Sequence, residues 1–121
     1  MSSETFTDRG LSITVNDRDQ IYVEWQGKST ARDPGRFILP VLSRALGLAD
    51  EQGKAVVLDF CKLEYMNSST VTPLIRILDR AKRGNTLLTV VYNRALKWQM
   101  LNFTALEVFH TQDERIHIRG V

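Results

Sequence analysis

Val57-Leu58-Asp59-Phe60-Cys61-Lys62-Leu63-Glu64-Tyr65-Met66-Asn67-Ser68-Ser69-Thr70 is the stretch on which the fold turns. It begins in an apolar run, Ala55-Val56-Val57-Leu58, with Lys54 before it and Asp59 after it. A short run of this kind fits a strand covered on both faces, as in a parallel sheet. The stretch ends where a helical period takes over. Val71, Leu74, Ile75, Leu78 and Ala81 recur at i, i+3, i+4 and i+7, while Arg76, Asp79, Arg80, Lys82 and Arg83 fall outside that stripe. The spacing predicts a helix over 70–83. Its basic last turn complements the helix dipole and Gly84 stops it. A buried strand thus runs through a short loop that delivers three hydroxyls to a helix start.

Working outward, the chain alternates before this stretch. Leu11, Ile13 and Val15 are separated by Ser12 and Thr14, and Ile21, Val23 and Trp25 by Tyr22 and Glu24, with Asn16-Asp17-Arg18-Asp19 as the turn. The pair reads as a hairpin. Asp33-Pro34-Gly35 has turn chemistry. Ile38, Val41, Leu42, Ala45, Leu46 and Ala49 then share a helical face that ends at Gln52-Gly53, with Pro40 in the first turn. After the central stretch, residues 86–92 read as another buried strand. Residues 94–103 read as a short helix with Leu96, Met100, Leu101 and Phe103 as core, and 115–119 as a final edge strand. Residues 1–9 are polar and are expected to fray, leaving one domain over 10–121.

The order is β-β-α-β-α-β-α-β. Strand-helix-strand units at this spacing imply parallel pairing through right-handed crossovers. The expected fold is α/β, a single mixed sheet of four or five strands with about three packed helices. Periodicity leaves open whether the helices cover one face or both.

Composition bounds the function classes. The 121 residues are 43% hydrophobic and 25% charged, with a net charge of +2. These are ordinary globular values, and so small a charge gives no footprint for nucleic acid. The single cysteine, Cys61, rules out an internal disulfide and fits a reducing compartment. No apolar run approaches the ~20 residues that span a bilayer, and the first ten residues lack a signal-peptide core. A cytoplasmic protein without membrane contact is expected. There is no Walker sequence, G-x-G-x-x-G, G-x-S-x-G or H-E-x-x-H, so no catalytic residue and no cofactor is assigned. His110 and His117 stand seven apart, a spacing that matches no metal signature, and Cys61 is remote from both. No metal site is expected on that ground.

The loop Met66-Asn67-Ser68-Ser69-Thr70 is the candidate site. A helix start offers unpaired N–H groups and a partial positive charge, so hydroxyl caps and anions are both favoured there. On its own a Ser/Thr cluster at that place is a helix cap. The basic face Arg76, Arg80 and Arg83 reads either as a solvated helix face or as a patch for an acidic partner.

The stretch resembles the signature of STAS domains, the anti-sigma factor antagonist family, in which a buried strand and a loop precede Asp-Ser-Ser-Gly at a helix start. Here the motif reads Asn67-Ser68-Ser69-Thr70. Residues 74–84 are similar to the family's helix and its stop. Leu101-Asn102-Phe103-Thr104-Ala105-Leu106-Glu107-Val108-Phe109 is similar to its Leu-x-x-Thr-Gly-Leu-x-x-Val-Phe ending. Asn67, Thr70 and Ala105 depart from the family's Asp, Gly and Gly. Asn at the first place also resembles a related branch that regulates cyclic-di-GMP signalling.

The resemblance implies a cytoplasmic regulatory module, a partner-switching antagonist that is not itself an enzyme. It implies Ser68 as the phosphoacceptor of a cognate serine kinase (an anti-sigma-type ATPase), with a PP2C-type phosphatase removing the phosphate. Asn67, Ser69, Thr70 and Arg76 become the expected partner-binding residues, and a monomer or weak dimer the expected state. The alternative is a STAS-like docking scaffold that has lost phosphorylation.

Overall fold

The computed structural model describes residues 2–121. Met1, part of the segment expected to fray, lies outside them. The described residues form one mixed sheet of seven strands with three α-helices. The strands are β1 (Ser2–Asp8), β2 (Leu11–Asp17), β3 (Ile21–Ser29), β4 (Val56–Asp59), β5 (Leu63–Met66), β6 (Leu88–Tyr92) and β7 (Ile116–Gly120). The helices are α1 (Gly35–Gln52), α2 (Val71–Arg83) and α3 (Lys97–Thr104). The order across the sheet is β1-β2-β3-β4-β6-β7, and β5 pairs with β3 beyond the end of β4. β1, β2 and β3 form an antiparallel meander, and β3-β4, β4-β6 and β6-β7 pair in parallel.

The strand count exceeds the expected four or five by β1 and β5. Residues 2–8, expected to fray, pair with β2 from Ser2↔Asp17 to Asp8↔Leu11. The turn between them is Arg9-Gly10, with φ at 56° and 111°. Two successive positive φ values match the twist of a two-residue hairpin, and Gly10 supplies the second at no steric cost.

Inward residues follow from register. Leu11, Ile13 and Val15 lie beside Trp25 and Val23, and Ile21 and Val23 beside Val56 and Leu58. Leu88, Val90 and Tyr92 continue the layer, followed by Ile116 and Ile118. These residues share one core with the buried residues of α1 (Ile38, Val41, Leu42, Ala45, Leu46 and Ala49) and of α2 (Leu74, Ile77, Leu78 and Ala81). Phe103 of α3 joins the same core, within stacking range of Phe60 and Tyr92. All three helices therefore cover one face. Tyr22, Glu24, Asp59, Thr89 and His117 alternate with the core residues and project from the other.

Two helices are turned relative to expectation. In α2, Ile77 is buried and Ile75 is 39% exposed. In α3, Gln99 and Phe103 point inward at i and i+4, while Met100 and Leu101 are exposed. Gln99 is fully buried because the core there needs polar partners. Its amide donates to the carbonyls of Phe60 and Leu63 at 2.6 and 2.9 Å, and its carbonyl accepts from the Asn93 N–H at 2.7 Å. The side chain thereby ties the break between β4 and β5, where the Phe60 carbonyl also accepts from the Leu63 N–H, to the chain leaving β6.

The join of β3 to β5 positions the site. The pairs run Gly27↔Leu63, Lys28↔Tyr65 and Ser29↔Met66, so Glu64 is an extra residue on β5. A bulge of this kind re-aims the side chains after it. Leu63 and Met66 both reach the core, and the Asn67 N–H lands 3.0 Å from the carbonyl of Ser29.

Candidate functional site

Asn67 ends the strand path and caps the turn that follows. Ser68–Thr70 form one turn of 3-10 helix that runs directly into α2. The extended backbone of Asn67 (φ −79°, ψ 168°) lets its side chain fold back as an N-cap. Its Oδ1 accepts from the Thr70 N–H at 3.1 Å and from the Thr70 hydroxyl at 2.8 Å. Its Nδ2 donates to the carbonyl of Ala31 at 2.9 Å. One side chain therefore holds the start of α2 and the loop after β3 together.

Thr70 lies beneath this arrangement. It is fully buried, and its hydroxyl is 2.7 Å from that of Ser29, itself buried. Thr70 therefore has no surface with which to touch a partner. Its place in the expected contact set is corrected to that of an internal strut, because glycine at this position would leave both Asn67 and Ser29 short of a bond. Pro73 is the third residue of α2, where a missing N–H costs no helical bond.

Ser68 and Ser69 face outward. Among the described residues the Ser68 hydroxyl has no hydrogen-bond partner in the protein, although its backbone carbonyl accepts from the Val71 N–H. The two hydroxyls that brace the loop are Thr70 and Ser29, and the exposed one at the head of the turn is free to react. Ser69 faces an open groove of about 450 Å³ between the loop after β3 and the first turns of α1 and α2. Arg32, Arg36 and Arg76 line this groove together with Asp33, Thr72 and Pro73. None of the three arginines forms an ion pair among the described residues. Arg76, expected from the sequence, is thus joined by Arg32 of the loop after β3 and Arg36 of the first turn of α1.

Asp59, at the end of β4, is tied into structure. One carboxylate oxygen accepts from the Tyr22 hydroxyl and the other from the Cys61 N–H at 2.9 Å. Burial, with help from the neighbouring carboxylate, raises the Tyr22 hydroxyl above its ordinary range. Burial first, then the hydrogen bond to Asp59, pushes the Cys61 thiol up to about 11. At neutral pH this thiol stays protonated, which makes it a poor nucleophile.

No protein-family model matches the chain, and no curated protein matches it. Among solved structures, it is similar to an uncharacterised protein of the DUF3478 family with a SpoIIAA-like fold, from Shewanella loihica PV-4. The TM-score is 0.55 at 14% sequence identity, over 96% of this chain and 90% of the other. The SpoIIAA-like fold is the STAS fold.

This chain has the STAS fold.

At that identity the likeness carries the architecture alone. The loop 67–70 follows β5, which pairs with β3 off the main strand order, and leads into α2. No helix among the described residues is long and apolar enough to cross a membrane.

Sequence spacing missed one further cluster. His110, Glu114 and His117 have their donor atoms within 4.8 Å of one another. The two histidines stand seven positions apart, but the loop before β7 folds back and closes the gap.

Proposed function

We propose that this domain is a regulatory protein-binding module, a partner-switching antagonist governed by reversible phosphorylation of Ser68. The observation that carries the reading is the contrast inside one turn. Thr70 and Asn67 are fully used in holding the loop, while the adjacent Ser68 hydroxyl is exposed and unengaged at a helix start. A kinase needs a reachable hydroxyl on a defined backbone, and this loop provides both. The proposed partners are a cognate serine kinase of the anti-sigma ATPase type and a PP2C-type phosphatase. The docking surface comprises Ser69 and Arg76, with exposed Tyr65 and Ile75 on the flanking elements. A phosphoryl group adds nearly two negative charges, and its desolvation cost at this surface releases a partner that accepts neutral serine. The domain itself carries no catalytic role in this reading.

The test is incubation with the kinase and ATP, followed by peptide mapping. Phosphate on Ser68, lost in Ser68→Ala, supports the proposal. Phosphate found elsewhere only, or none, removes it, and unchanged partner binding by Ser68→Ala then favours the non-switching scaffold.

A second reading is favoured by the groove. Arg32, Arg36 and Arg76 converge on one concave surface beside Ser69 and Thr72, and guanidinium groups match phosphate oxygens in a fork. Under this reading the site holds a phosphorylated small molecule. Titration with inorganic phosphate and with ATP tests it: saturable binding weakened by Arg36→Ala and Arg76→Ala supports it, and no heat change below millimolar concentration excludes it.

A further inference from the structure

The segment between the turn after α3 and strand β7 is held more firmly than a surface loop requires. Arg115 donates to the carbonyls of Ala81, Lys82 and Gly84 at 2.9–3.0 Å, so it caps the C-terminal end of α2. The Thr111 hydroxyl donates to Asp113 at 2.6 Å and accepts from the Ile116 N–H at 3.0 Å. Glu114 takes φ at +57°, a conformation that L side chains adopt only when their surroundings impose it. The loop therefore presents Glu114 in a fixed position.

His110 leads into this loop and His117 leaves it. Their rings meet edge to face with centroids 4.7 Å apart. His117 projects from the helix-free face of the sheet, opposite Thr89, and His110 reaches the same place from the chain that enters the loop. The donor atoms of His110, Glu114 and His117 all lie within 4.8 Å of one another. Two donors placed tetrahedrally on one first-row ion, each about 2.0–2.2 Å from it, are roughly 3.3–3.6 Å apart. Small side-chain rotations in exposed groups close that difference.

We propose that His110, Glu114 and His117 form a binding site for a divalent transition-metal cation of the zinc class. The chemistry of the donors selects the cation. Calcium and magnesium take oxygen donors, whereas two imidazoles with one carboxylate suit zinc and its first-row neighbours. Three protein donors leave a position open to solvent. Bound metal joins the start of the loop to β7 and so staples an edge strand of the sheet, at a place remote in the chain from Ser68.

The experiment uses the full chain without an affinity tag, titrated with zinc by calorimetry and with cobalt by visible absorption. One zinc per chain is expected, with no response to magnesium. Cobalt is expected to give d–d bands of nitrogen and oxygen ligation without a thiolate charge-transfer band. His110→Ala, His117→Ala and Glu114→Gln are each expected to weaken binding at least about tenfold, and Cys61→Ser to leave it unchanged. Glu114 is exposed, so its variant remains informative where a histidine variant unfolds. Absence of saturable zinc binding, a ratio other than one per chain, or affinity indifferent to the two histidines overturns the proposal.

Discussion

Asn67→Asp restores the acidic residue that the STAS signature carries, and here it is expected to weaken the domain. The Asn67 amide uses both of its ends. Its carbonyl holds Thr70 and its NH2 group donates to Ala31. Aspartate keeps the first function and inverts the second, because it brings a carboxylate oxygen to within about 2.9 Å of the Ala31 carbonyl oxygen. The lost donor and the facing oxygens together cost about 2–3 kcal/mol. A negative charge at a helix start returns about 0.5–1 kcal/mol. The net loss is therefore about 1–2.5 kcal/mol, or a fall in Tm of roughly 4–10 °C for a domain of this size.

Urea unfolding at neutral pH measures this loss as a lower midpoint with unchanged slope. The sign of the pH dependence is a second check. The Ala31 carbonyl favours the protonated acid, whose O–H restores a donor, so the variant's carboxyl is raised in the folded state. A raised folded pKa contributes stability below the unfolded value that fades as pH rises. The deficit against the natural chain therefore narrows as pH falls through the carboxylate range. A variant as stable as the natural chain at pH 7, or a deficit that grows toward acid, refutes the role assigned to Asn67.

Gly27→Ala is expected to be among the most damaging single-carbon additions, since Gly27 sits at φ +86° and an added Cβ meets the Gly10 carbonyl oxygen at 2.0 Å. A loss of at least about 2 kcal/mol in chemical denaturation is expected from strain and overlap together, and a loss under half of that contradicts the close approach. Gln99→Leu keeps the volume but strips the bonds to Phe60, Leu63 and Asn93. It should cost about 2–4 kcal/mol in the same assay, and a neutral result would mean that those groups find other partners. Cys61, raised from 9.0 to about 11, holds roughly 100-fold less thiolate at pH 8 than an ordinary cysteine. It should react with a disulfide reagent far more slowly than glutathione does, and a comparable rate refutes the shift.

The central stretch was readable because three signals agree in it: an apolar run, a hydroxyl cluster and a clean helical period. The elements that escaped lacked one of these. β1 is polar but for Phe6, and its turn puts Arg9 rather than Asn or Gly at the first positive φ. β5 was hidden by its own bulge, which spaces the buried residues Leu63 and Met66 three apart and erases the alternation that marks a strand. In α3, hydropathy favoured Met100 and Leu101, but the bonds of Gln99 to the carbonyls of Phe60 and Leu63 and to the Asn93 N–H hold it inward and set the rotation of the helix. At the site, Asn67 and Ser68 were marked by position, whereas Arg32 and Arg36 entered the groove only through the path of the loop after β3 and the way it sets the start of α1. No local pattern reports where a loop passes.

The bonds that shape the site also fix when it comes into being. β1, β2 and β3 are neighbours in the chain and close through short turns, so they can pair early. Asn67 to Ala31 and Thr70 to Ser29 span 36 and 41 residues, with all of α1 between them. Such contacts form only after a long loop has been closed and a helix docked. Before those contacts form, Ser68 sits in a segment without the bonds that hold its turn. Afterward it stands on a rigid turn beside an arginine-lined groove. Under the proposed function, a kinase that requires the groove would modify only molecules that have finished folding.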